Sequence, residues 1–104
     1  MKDVKGQFDQ AMFSIYLRAK SELKYNASIF FQMLGRRGGV DTARVLINAP
    51  QVSDGYTHLH EKGRLDLTVE ALVVEDERWH ALFTDDELEK ARKRLRDYGY
   101  KFKG

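Results

Sequence analysis

Leu65-Asp66-Leu67-Thr68-Val69-Glu70-Ala71-Leu72-Val73-Val74 is the stretch on which the fold class turns. Leu67, Val69, Ala71 and Val73 alternate as a half-buried strand would, whereas Leu65, Val69, Leu72 and Val73 fit one helical face. A strand here has no evident partner elsewhere in the chain, and a lone strand leaves its backbone hydrogen-bonding groups unpaired. The stretch is therefore read as helix. Asp66 or Thr68 caps it, Glu70 sits in its first turn where the dipole favours an acid, and Arg64 pairs with Asp66 or Glu70.

Downstream, a helical turn over 78–82 places Trp79 and Leu82 inward. Thr84 to Glu87 then matches a capping box, with Phe83 and Leu88 at staple spacing. Leu88, Ala91, Leu95 and Tyr98 form the buried stripe, and Gly99 stops the helix. Its cations have an ordinary role beside the helix C-terminus, with Glu89 placed to pair with Lys93 and Asp86 with Lys90. Together with Lys101 and Lys103, Arg92, Lys93, Arg94 and Arg96 also make a candidate phosphate track.

Upstream, Gly35-Arg36-Arg37-Gly38-Gly39-Val40-Asp41-Thr42-Ala43-Arg44 is the sharpest punctuation in the chain. Three glycines in five residues predict a helix stop, Asp41 a new N-cap, and Val40 with Val45 a staple. Before it, Phe8, Met12, Ile15, Ala19 and Leu23 recur at three and four residues, predicting a helix over 4–23, widened by Ala11, Tyr16 and Leu17. Asn26 is the expected cap of a second helix over 27–34, with Tyr25 stapled to Phe30. Ile29, Phe30, Phe31, Met33 and Leu34 cover most of that helix, so it is expected to be central and buried on several sides. After the glycines, 42–48 is helical until Pro50 ends it, and Ser53 caps a short helix closed by Gly63.

The chain has 104 residues, 42% hydrophobic and 33% charged, with one proline. These values predict one folded domain, 1–104, frayed at 1–3 and 101–104. Eighteen basic against sixteen acidic residues leave +2, well short of the excess that by itself marks a nucleic-acid binder. With no cysteine, disulfides and thiol chemistry are excluded. Nothing resembles a membrane span or secretory leader, so the expected location is cytoplasmic, without membrane contact.

The segments Tyr25 to Leu34, Gly38-Gly39 with Thr42-Ala43 and Leu46-Ile47, Gly55-Tyr56 with Leu59, 63–70, and Phe83-Thr84 to Tyr100 together resemble a small bacterial domain of unknown function. The resemblance covers roughly residues 14 to 100. It implies one bacterial domain and carries no activity or site.

The expected architecture is thus an all-α, compact single-domain bundle of about six helices, helix-turn-helix-like over Thr42 to Arg64. In such a motif the second helix offers Ser53, Thr57, His58, Glu61 and Lys62 to base edges, with Arg36 and Arg37 on phosphates. The first functional expectation is a binding or adaptor domain contacting DNA or RNA through Arg36, Arg37, Arg44, Thr57, His58, Lys62 and Arg64. The alternative is a protein-interaction module or self-associating subunit using Tyr56, Trp79 and Tyr100. His58 with Glu61 at i, i+3 is the nearest thing to an acid/base pair, and no catalytic signature occurs, so no enzyme is expected. His58, His60 and His80 are not spaced as a metal site; neither metal nor cofactor is expected.

Overall fold

In the computed structural model, which describes residues 3–102, every regular element is helical. Five α-helices run α1 (Val4–Leu23), α2 (Ser28–Asn48), α3 (Asp54–Glu61), α4 (Val69–Glu75) and α5 (Asp85–Asp97). Single 3₁₀ segments lie at Leu65–Leu67 and Glu77–Leu82. The helical reading of 65–74 holds, but it winds in two parts. Thr68 joins them: its hydroxyl donates to the Leu65 carbonyl at 2.7 Å and accepts the Ala71 N–H at 3.1 Å. A radius of gyration of 12.6 Å matches the value of about 13 Å for about 100 residues in one globule.

The centre of the bundle is α4, only seven residues long. Val69, Glu70, Ala71, Val73 and Val74 are all buried, because α1, α2, α5 and both 3₁₀ segments pack around it. Phe8 and Met12 of α1, Ile47 of α2, Trp79 and Phe83, and Leu88 and Leu95 of α5 complete the core. Phe8 meets Trp79 and Phe83 edge to face at 5.3 and 5.5 Å, pairs that contribute about 0.5–1.5 kcal/mol each beyond their buried area.

The second helix departs from expectation. The glycine-rich stretch does not stop it: Gly35, Arg36 and Arg37 remain helical, and only Gly38 leaves helical geometry, at φ 79° and ψ 173°. The result is a kink between two halves of α2. Asp41 does not cap the second half. Asp9, thirty positions away on α1, accepts the Gly39 N–H at 2.6 Å instead. Val40 packs against the core while Val45 is exposed, so the expected staple is not the device that holds this junction.

Nor is the first half of α2 the central helix. Ile29 is 72% exposed and Phe31 47%, and Phe30, Met33 and Leu34 are half-buried. Phe30 and Leu34 pack on the core while Ile29 and Phe31 face outward, so the apolar circumference is covered on one side. The helix begins at Ser28 with no side-chain cap, because the Asn26 Oδ1 accepts the Tyr16 hydroxyl at 3.1 Å. Tyr25 stacks on His58, with ring centroids 4.1 Å apart, and packs with Ala19, Leu59 and Leu67, while Phe30 joins the main core; the two do not form a staple.

Tyr98, expected in the buried stripe of α5, and Leu17, expected to widen that of α1, are instead 37% and 49% exposed, whereas the other turn and cap expectations hold. Ala49 is extended before Pro50, Ser53 accepts the Tyr56 N–H, and Gly63 and Gly99 adopt positive φ. Thr84 and Glu87 form the reciprocal capping box. Of the ends expected to fray, residues 1, 2, 103 and 104 lie outside the described residues. Asp3 accepts the Lys5 N–H at the start of α1, and Phe102 packs against the core.

Candidate binding face and pocket

The residues expected to form one basic surface are dispersed or already engaged. Arg44 pairs with Glu87 at 2.9 Å, and Arg64 with Glu22 at 2.8 Å and Asp66 at 3.0 Å. Arg18 and Arg64 together hold the Glu22 carboxyl below its ordinary range, and Arg64 does the same to Asp66. Arg94 is not part of a phosphate track. One guanidinium nitrogen donates to the Leu46 carbonyl and Glu70 Oε2, both at 3.0 Å, and another to the Ala49 carbonyl at 2.7 Å. It satisfies the open carbonyls at the end of α2 and ties α5 to both α2 and α4.

The charges along α5 are similarly occupied. Lys93 meets Asp97 at 2.8 Å, where Glu89 was the expected partner; Glu89 takes Arg96 at 2.7 Å and Arg92 at 3.7 Å instead. Lys90 pairs with Asp86 as its spacing suggests. By contrast Arg36 and Arg37 are exposed and make no ion pair among the described residues, and Thr57 and Lys62 are also exposed.

The helix-turn-helix expectation fails on packing. Such a motif needs its two helices against each other, yet α3 rests chiefly on the Leu65–Leu67 turn. A cavity of about 330 Å³ lies between α3 and the first half of α2. His58, expected at a base edge, is half-buried against Tyr25, and no hydrogen bond joins it to Glu61 among the described residues. His80 meets the Val74 carbonyl at 3.1 Å. Among the described residues no three His, Asp or Glu side chains converge as a metal site.

Two of the three aromatics named for a protein interface are buried. Trp79 and Tyr56 are 2% and 3% exposed and belong to the core. Burial pushes the Tyr56 hydroxyl pKa up, and its O–H donates to the Arg94 carbonyl at 3.3 Å. Tyr100 is half-buried with its hydroxyl on Glu75; burial and that carboxylate push it to about 12.

A different apolar face is open. Phe13, Leu17 and Phe31 are 37%, 49% and 47% exposed. Phe31 stacks on Tyr16 at 5.0 Å and tilts against Phe13 at 5.9 Å. At about 100° per residue, Phe13 and Leu17 share one line of α1 with Lys20, well away from the buried line of Phe8, Met12, Ile15 and Ala19, and Lys24 follows as the left-handed C-cap of the helix. Neither lysine makes an ion pair among the described residues. Beside Phe13 and Phe31 a second cavity, about 280 Å³, opens against Leu34, Gly35 and Gly38.

Among the described residues no helix is long and apolar enough to cross a membrane. No family model, no curated protein and no solved structure matches the chain.

Proposed function

We propose that the protein is a non-catalytic protein-interaction module whose partner presents an amphipathic helix with acidic residues beside its apolar stripe. The observation that carries this reading is the exposed line Phe13, Leu17 and Lys20 on α1, with Phe31 beside it and Lys24 at the helix end. Its aromatic and aliphatic part suits helix-in-groove docking, and the cavity beside Phe13 and Phe31 suits one anchoring side chain. The two unpaired lysines select an acidic flank.

The size of the face favours a short segment over a second copy of the chain. Three partly exposed side chains offer on the order of 300 Å², under half of the roughly 800 Å² per partner in a stable standard interface. Fluorescence anisotropy with two designed amphipathic helices of equal apolar content, one acid-flanked and one base-flanked, tests the reading. The acid-flanked helix should bind and Leu17→Glu should weaken it at least tenfold. Equal binding of both helices, or binding indifferent to Leu17→Glu, contradicts it, and concentration-dependent sedimentation of the free protein would point to self-association instead.

Arg36 and Arg37 support a second reading, contact with DNA or RNA. They stand exposed, without carboxylate partners among the described residues, on the α2 turn before the Gly38 kink. Two arginines outside any helix-turn-helix fit backbone contact better than base reading. Binding to duplex and single strands at about 50 mM salt, falling as salt rises and lost in an Arg36→Ala, Arg37→Ala variant, is the expected result. No binding at that salt removes the reading.

A further inference from the structure

We infer that the 330 Å³ cavity between α1, the first half of α2 and α3 is a site for a small organic cation with an apolar body, an alkyl- or arylammonium compound. The volume lies at the small end of the range of about 300–1,000 Å³ found for ligand sites. Four aromatic rings contribute to its walls: Tyr16, Tyr25, Phe30 and Tyr56. Most of the remaining lining is aliphatic.

The charged side chains on the cavity are all of one sign. Asp54 and Glu70 line it, and among the described residues no lysine, arginine or histidine does. Glu70 is met by Arg94, which is not a lining residue and so approaches from outside the cavity. That carboxylate already has its counter-ion. Asp54, exposed in the first turn of α3 and in no ion pair among the described residues, is the carboxylate left to face a cationic ligand.

Two of the phenols have their polar ends employed elsewhere, Tyr16 on Asn26 and Tyr56 on the Arg94 carbonyl. What those residues offer a ligand is ring surface. Aromatic faces carry negative quadrupole charge and attract cations, most strongly where water is thinned out, and an anionic ligand would meet both the rings and Asp54 unfavourably. A neutral apolar ligand would gain the burial without the electrostatic part. The cavity adjoins the Phe13–Leu17 face through Tyr16, which stacks on Phe31, but Phe13, Leu17 and Phe31 do not line it, so the two proposals are tested by different residues.

Benzyltrimethylammonium, its uncharged carbon isostere neopentylbenzene, and phenylacetate make the test, each titrated into the ¹⁵N-labelled full chain with amide shifts as the readout. Saturable shifts should cluster at residues 25–30 and 53–56. The ammonium should bind at least about fivefold tighter than neopentylbenzene, and phenylacetate should not bind there. Asp54→Asn should erase most of that preference while leaving neopentylbenzene unchanged, and Tyr25→Leu should weaken the ammonium; unperturbed spectra elsewhere certify the fold of both variants. Equal affinity for the ammonium and its isostere, shifts located elsewhere, or no saturable shifts would each overturn the assignment.

Discussion

Gly39 has no room for a β-carbon. One built there falls 2.6 Å from the Asp9 Oδ1 and 3.2 Å from both the Asp9 Cα and the Phe8 ring, and two of these three obstacles are backbone and fully buried core. Gly39→Ala should therefore cost about 1–3 kcal/mol in urea unfolding, while Gly35→Ala, which meets nothing within 4 Å, should be neutral or slightly stabilising in its exposed helical turn. Equal effects would refute the close packing of α1 on the kink. Glu87 gives a second test at this scale. Burial acts to raise its pKa, but the Thr84 N–H, Asn48 and Arg44 overcome that and bring it down to about 2. A carboxyl lowered from 4.5 in this way adds stability above the unfolded value, and the gain is lost as pH falls from about 4.5 to 2. Glu87→Gln should remove at most about 3 kcal/mol at pH 7 and flatten that acid limb of the stability curve, since Gln has no carboxyl to titrate.

Elements were legible in the sequence where their signals are local. Ser53, Thr68 and Thr84 each cap a helix whose amides lie within three residues, and the capping box needs nothing from the rest of the chain. The junction in α2 was not legible for the opposite reason. Its acceptor is Asp9, thirty residues away, and glycine spacing cannot distinguish a stop from a kink closed by a distant carboxylate. Exposure failed similarly. Periodicity shows that Phe31 and Ile29 lie on a helix, but the number of sides covered depends on which elements pack there, and the packing covers Phe30 and Leu34 while leaving Ile29 and Phe31 exposed. The turn over 78–82 correctly pointed Trp79 inward, so its place among the interface aromatics was the error, and the same gap left Phe13 and Leu17 out of the candidate set. If the face is free surface, Leu17→Ser should change stability by less than about 0.5 kcal/mol, whereas Met12→Ala, fully buried one turn away, should cost about 2–5 kcal/mol. Thermal unfolding of both variants checks this.

For the whole molecule, Arg94 is the joint between three helices. It ties α5 to the carboxylate of α4 and to two carbonyls at the end of α2, and both it and Glu70 are largely shielded from water. Arg94→Met leaves a buried carboxylate and two carbonyls without their donor, so it should cost about 3–5 kcal/mol, with Glu70→Gln smaller because an amide can still accept from Arg94. A chain near charge balance that commits its arginines to such joints has few left for a phosphate groove. The exposed apolar line on α1 and its lysines remain as the larger uncommitted surface. Mapping amide shifts of the labelled protein while adding the acid-flanked amphipathic helix tests that claim most directly. Shifts should concentrate on Phe13, Leu17, Lys20, Lys24 and Phe31 and vanish in Leu17→Glu; shifts centred on Arg36 and Arg37, or none at all, would contradict it.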